Sequence, residues 1–371
     1  MKKILYHGFY GFRNSGDDAF VEVCAWGGRK YWNTTRNIFL SGNLPKLINP
    51  AGMIREYKIR PLNRIPISLL ASKADSFVCA GGSLFTKCSG SSVINNVLKI
   101  REFLNGKMRV GAIGVSVGPF ECVKDENDVK KCLQAIDFLA LRDRRSYEYV
   151  LSLNLPYKPV RAFDLAALLP QVYEGIDDRL KVNAVGRKII GVSVCNYESY
   201  ARPGAMNRER RRNKYLLELL SNIPDKPDIM LRFFVFNGHP LIGDEKITDE
   251  FINYLSDKFR IEKIPYPGNV HETWNKISEC DLVISTRLHA SVFACYAGVP
   301  FFLMEYHQKC TDFVEDIGHC SPYRLFDGER LIGEVTGEIR KILFDGAYTP
   351  PSNVRQTIIL SGNNFLECNK N

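Results

Sequence analysis

An alternation running almost the whole length of the chain constrains its fold more than any other feature. Short β-branched or apolar runs are each followed by a stretch with apolar residues at helical spacing. The runs fall at residues 3–7, 37–40, 76–80, 110–115, 138–141 and 160–162, with helical stretches at 19–25, 93–104 and 129–135. Such runs suit strands covered on both faces, and parallel strands need crossover helices between them. The pattern restarts at 188–195, as apolar as the first run, and continues at 230–236, 261–264, 282–285 and 300–303. Helical stretches at 215–220, 250–255 and 271–280 fill the gaps. The chain is therefore expected to form two successive α/β domains, each built on a parallel sheet.

The polar stretch 170–187 shows no core pattern and is the expected linker. This gives domains over 1–178 and 179–348, with a tail over 349–371 that opens on Pro350-Pro351 and is expected to carry a last helix packing back on the first domain. Two such domains leave a cleft between them, and ligands of α/β sheets sit beyond the carboxyl ends of the strands. The informative residues should therefore follow strands, and they do.

Composition removes several classes of function. No apolar run approaches the roughly 20 residues needed to cross a bilayer. The start, MKKILYHGFYGF, resembles a signal peptide, but His7 and Gly8 interrupt it and no small-residue cleavage site follows, so it reads as a first strand of a cytoplasmic protein. The 11 cysteines are scattered without a C-x-x-C pair, which argues against a disulfide framework or a zinc site and for small core side chains such as Cys24, Cys79 and Cys295. The net charge of +9 suggests an acidic partner, yet it is dispersed and accompanied by no nucleic-acid motif, so no nucleic acid is expected. Small phosphates or an anionic membrane surface explain it as well. One cluster, Arg208-Glu209-Arg210-Arg211-Arg212-Asn213-Lys214, reads either as such a contact or as a solvated loop leading into a helix.

The sharpest segment is Ile284-Ser285-Thr286-Arg287-Leu288-His289-Ala290. A strand ends at Ser285 and a helix starts near Leu288, so Arg287 and His289 stand where amides, dipole and guanidinium together favour an anion. Lys309 follows the neighbouring strand and can share that anion, although an ordinary surface lysine would look the same. The first strand runs into Gly8–Asp18, a turn whose glycines let the backbone approach a ligand and in which Asn14 and Gly16, expected to bind substrate, precede a helix start able to receive an anion. Its spacing is not G-x-G-x-x-G, and Asn14 or Asp17 reads equally as the helix cap. Gly81-Gly82 and Gly114–Pro119 read as glycine turns at strand ends. Arg142 follows a strand and can face the cleft, oriented by Asp143, with a surface ion-pair cluster as the alternative. Asp164 follows a strand and can cap the helix after it.

Taken in order, these motifs resemble the polysaccharide pyruvyl transferase family. The matching pieces are the Gly8–Asp17 turn, Gly81-Gly82, Gly114–Pro119, Arg142-Asp143 with Ser146, Asp164-Leu165-Ala166, Arg287-Leu288-His289-Ala290 and Lys309. They span most of the chain; the Arg-Leu-His block, followed by Gly298-Val299-Pro300 and Lys309, is the most specific. One departure is Ala80 where the family often has a third glycine. The resemblance implies two Rossmann-like domains in a glycosyltransferase-B-like arrangement. It also implies transfer of pyruvate from phosphoenolpyruvate to a sugar as a ketal, without cofactor or metal.

Arg287, Leu288, His289 and Lys309 would then hold the donor, and Asp17 and Arg142 would lie opposite. His289 would act as general acid or stabilise the departing phosphate, and Asp17 would act as base toward a sugar hydroxyl. The implied acceptor is a sugar of a lipid-linked precursor at the inner membrane face, with acceptor choice placed in 196–214 and 238–244, which carry no matched motif. The main alternative is a nucleotide-sugar-dependent glycosyltransferase on the same scaffold. The E-x₇-E pair of many retaining members is absent, since Phe313 follows Glu305 and Tyr323 follows Glu315 at that spacing. A non-catalytic sugar- or anion-binding protein is the second alternative.

Overall fold

A computed structural model describes residues 2–55, 73–103, 106–176, 186–201 and 206–369. The chain divides into two compact units. The first takes Met1–Gly11, Asp17–Val172 and Arg355–Asn371; the second takes Phe12–Gly16 and Tyr173–Val354. The expected boundary at 178 lies outside the described residues, as does half of the expected linker. The sequence had not separated Phe12–Gly16 from the first domain.

In the first unit seven strands pair in parallel: β1 (Lys2–His7), β2 (Thr34–Leu40), β3 (Gly52–Ile54), β4 (Ser76–Phe85), β5 (Arg109–Val117), β6 (Phe138–Leu141) and β7 (Val160–Arg161). Their order is β3-β2-β1-β4-β5-β6-β7. The winding reverses between β1 and β4, the switch point of a Rossmann-type sheet. Leu5, Phe77, Val110 and Leu139 fill one face of the sheet together with Val97, Val129 and Leu133 of the covering helices. Burying a side chain of this size contributes about 1.5–3 kcal/mol, so the sheet is held mainly by its two covered faces.

The glycine pairs are not turns at strand ends. Gly81 and Gly82 lie inside β4 with φ of +76° and +78°, where the ladder to β5 shifts register. An added β-carbon on Gly81 would collide with the ring of Phe20. A residue without a side chain thus lets the strand bulge and the helix above it approach. Gly114 likewise lies within β5. The start of the expected linker is also more apolar in effect than in appearance, because Val172 and Tyr173 are buried.

The second unit repeats the winding with five parallel strands: β8 (Lys188–Ser193), β9 (Ile229–Phe234), β10 (Arg260–Ile264), β11 (Leu282–Ser285) and β12 (Phe301–Leu303). The order β10-β9-β8-β11-β12 places its switch point between β8 and β11. Every residue of β9, β11 and β12 is buried, whereas β10, at the edge, carries Arg260, Glu262 and Lys263.

From Arg355 onward, the helix Val354–Leu366 belongs to the first unit. Asn364 is fully buried there; its Oδ1 accepts from the Gly114 amide at 2.7 Å and its Nδ2 donates to the Phe163 carbonyl at 2.9 Å. Among the described residues no helix is long and apolar enough to cross a membrane.

Candidate functional site

The carboxyl ends of β8 and β11 meet at the second unit's switch point, and the residues after them form the site. After β11, Thr286 still donates to the Ser193 carbonyl of β8 at 2.7 Å, and Ser285 Oγ donates to the Arg287 carbonyl at 3.1 Å. Arg287 then leaves the ladder in extended geometry and stands at the N-cap of the helix Leu288–Tyr296. Leu288 is buried, so what it can offer a ligand is its backbone amide in the helix's first turn. His289 follows, half-buried.

The Arg287 guanidinium is engaged by a residue the sequence did not single out. Its Nε donates to Asp244 Oδ1 and Oδ2 at 3.1 and 2.9 Å, and its Nη2 donates to Oδ1 at 2.5 Å. Asp244 is 0% exposed, and its Oδ2 also accepts from the Asn237 amide at 2.9 Å. Burial raises its carboxyl above the ordinary pKa, while the guanidinium and the amide pull the other way. The stretch 238–244 has no periodic pattern, and the partnership is made across 43 positions by the fold alone.

Asn14 and Gly16 join the same unit. The Ser15 amide donates to the Phe236 carbonyl at 2.9 Å, the Gly238 amide donates to the Arg13 carbonyl at 2.8 Å, and Asn14 bridges Asn237. Asn14 Oδ1 accepts from the Gly16 amide at 3.1 Å, so this side chain satisfies the helix start. Gly16 lies directly against the His289 ring: an added β-carbon would come within 2.5 Å of Cγ and 2.9 Å of Cε1.

Lys309 is in the first turn of the helix Gln308–Asp316, which His307 caps by accepting from the Lys309 amide through Nδ1 at 3.2 Å. Its Nζ is 5.7 Å from the ring centre of Tyr197 and 5.9 Å from that of Tyr306, within cation–π range of both. Cys195, just past β8, is buried. Burial pushes its thiol up to about 11, while Arg287, Arg212 and Lys309 each lower it.

Asp17 and Arg142 belong to the first unit. Asp17 sits, half-buried, in the first turn of the helix Ser15–Trp32, where a carboxylate favours the helix dipole. Arg142 is oriented by Asp164, not by Asp143. Its Nη1 donates to Asp164 Oδ2 at 3.1 Å, its Nε to Ser116 Oγ at 2.7 Å and its Nη2 to Ser83 Oγ at 3.3 Å. Asp143 instead caps the helix Arg144–Leu151, accepting from the Ser146 amide at 2.8 Å. Asp164 also accepts from the Ala166 amide at 3.0 Å, capping the turn that follows it.

The basic cluster is not a loop but the first turns of the helix Met206–Ser221. Arg212 is fully buried and pairs with Glu198 and Asp327, with Nη1 contacts of 3.1 Å to each, while Arg208, Arg210 and Arg211 are exposed. Among the described residues no three His, Cys, Asp or Glu side chains are grouped to hold a metal. All eleven cysteines are free thiols.

Two parallel, Rossmann-like α/β units of the glycosyltransferase-B class, with an anion-suited helix start at the switch point of the second, define the protein's class. Within it, the chain belongs to the polysaccharide pyruvyl transferase family, whose sequence profile matches residues 10–308 and stops one residue short of Lys309. The fold is shared with UDP-GlcNAc 2-epimerases. That of Methanocaldococcus jannaschii superposes with a TM-score of 0.61 at 15% identity, covering 97% of this chain and 99% of the other. That of Neisseria meningitidis, solved with UDP-GlcNAc bound, gives 0.59 at 12% identity, covering 99% and 98%. That of Rickettsia bellii gives 0.58 at 11%, covering 99% and 95%. No sequence match was found among curated proteins.

Proposed function

We propose that this transferase takes pyruvate from phosphoenolpyruvate and closes it as a ketal across two hydroxyls of a sugar, releasing phosphate. The observation that supports this best is Arg287, held on Asp244 at a helix start and two residues from His289, in a chain of this family. The donor's carboxylate and phosphate call for several cationic or amide partners, and Arg287, Lys309 and the helix-start amides offer them.

In the proposed sequence a proton adds to the methylene carbon, making it a methyl and leaving C2 electrophilic. One sugar hydroxyl bonds to C2 and gives up its proton. The C2–O bond to phosphate then breaks, and the second hydroxyl adds with loss of its own proton. Of the two protons released, one balances that added to carbon and one leaves with phosphate. His289 serves as the acid or stabilises the departing phosphate, and Asp17 takes a hydroxyl proton. None of these steps calls for a metal or cofactor. Arg142 serves acceptor binding in this scheme, and Asn14 and Gly16 shape the backbone beside His289.

The proposed acceptor is a lipid-linked sugar on the cytoplasmic membrane face, with Arg208, Arg210, Arg211 and Lys214 touching anionic lipid. A second reading, a nucleotide-sugar glycosyltransferase, is favoured by the UDP-sugars bound to solved relatives of the fold, such as the UDP-GlcNAc of the Neisseria protein. To separate them, the protein is incubated with phosphoenolpyruvate and a panel of galactosides, mannosides and glucosides. Phosphate release with a pyruvylated product is expected. Thermal stabilisation by UDP but not by phosphoenolpyruvate would favour the second reading.

A further inference from the structure

We infer that Asp244 is a positioning residue of the anion site, fixing the Arg287 guanidinium in one orientation, and that its loop also seats the backbone against which His289 rests. The inference deepens the phosphoenolpyruvate reading and rests on it. A fully buried carboxylate is costly unless hydrogen-bonded and paired, and Asp244 meets both conditions through Arg287 and the Asn237 amide. The guanidinium is planar, so engaging Nε and Nη2 on one carboxylate sets the plane and direction of the whole group. An arginine without such a partner would sample several rotamers and lose entropy on meeting a ligand.

The same short loop reaches the other half of the site. Its Phe236 carbonyl and Gly238 amide bond Ser15 and Arg13, and Asn237 bridges Asn14, which places Gly16 under the imidazole. Arg287 and the backing of His289 are thus located by one piece of chain. Asp244 touches the donor nowhere in this scheme; it acts through Arg287.

The test is a titration of the full chain with phosphoenolpyruvate, and separately with inorganic phosphate, for wild type, Asp244→Asn, Arg287→Ala and the double variant. Asp244→Asn is expected to weaken phosphoenolpyruvate binding by about tenfold, because misplacing an oriented group by a fraction of an ångström is felt at this level. In the Arg287→Ala background the same substitution should change binding by less than about twofold, since its partner is gone. Arg287→Lys keeps the charge and loses the fork, and should also weaken binding by about tenfold. That variant keeps the test open if Asp244→Asn does not fold.

Wild-type-like affinity in Asp244→Asn would overturn the role of Asp244 alone. So would an equal loss with and without Arg287, the mark of a purely structural residue, or wild-type-like affinity in Arg287→Lys. A wild type that binds neither phosphoenolpyruvate nor phosphate would overturn the donor reading, and the role of Asp244 with it.

Discussion

Gly16 has no side chain because the His289 ring occupies the space one would need. Its backbone is not left-handed, so the requirement is for closeness alone. Gly16→Ala should therefore push the imidazole aside, lower turnover, and destabilise the fold by about 1–3 kcal/mol, the usual cost of overpacking. Gly42→Ala, where an added β-carbon meets nothing within 4 Å, serves as the comparison in melting and rate measurements. Equal behaviour of the two variants would mean the ring yields without consequence.

Arg287 and His289 were legible in the sequence because a strand end followed by a helix start fixes where such residues must stand. Their supports were not. Asp143 adjoins Arg142 yet caps a helix, whereas Asp164, 22 positions away, holds the guanidinium because β6 and β7 are neighbours in the sheet. Sequence adjacency is a poor guide to the partner of a residue at a strand end.

At the scale of elements, the helix Met206–Ser221 shows how a charge cluster divides once its register is known. Glu209, Arg212, Leu216 and Leu219 recur at helical spacing and are buried, while Arg208, Arg210 and Arg211 face water. The sequence hid this because the apolar pattern becomes visible only at 215, leaving the preceding turns to look like a solvated loop. Arg212→Ala should cost about 3–5 kcal/mol in urea unfolding, since it strands the Glu198 carboxylate in the interior. Replacing Arg208, Arg210 and Arg211 together by serine should leave the unfolding midpoint nearly unchanged and reduce sedimentation with anionic liposomes. Unaltered liposome binding would count against the proposed membrane contact. The glycine pair within β4 teaches the same lesson: Gly-Gly after an apolar run signals a turn, but β4 continues through it because β5 runs alongside.

For the molecule as a whole, the alternation of runs was enough to foresee two parallel α/β layers, because crossover handedness leaves few ways to wind them. What alternation does not encode is which segments a unit borrows from elsewhere, as the second does with Phe12–Gly16.

Global stability should also fall in acid. His319 is buried, stacked on Phe301 at 4.2 Å, with Nε2 3.2 Å from the Phe301 carbonyl oxygen; burial pushes its pKa down from 6.5 to about 4. The folded state keeps it neutral while the unfolded chain takes up a proton below 6.5. Its contribution is therefore whole above that pH and is lost as the pH falls toward 4, at up to about 1.4 kcal/mol per unit. Unfolding midpoints measured between those limits should drop more steeply for wild type than for His319→Gln. Parallel curves would show that the histidine does not resist protonation.

The final helix of the first unit has a consequence for how the protein is made. Asn364 and its neighbours complete the first unit, yet they leave the ribosome only after the whole of Tyr173–Val354 has been synthesised. At ordinary translation rates that interval is on the order of ten to forty seconds. Throughout it the seat of Phe365 beside Trp32 and Tyr31 lacks its occupant. The unit begun first is thus the one finished last, and chaperones would meet its unfilled seat before any substrate does.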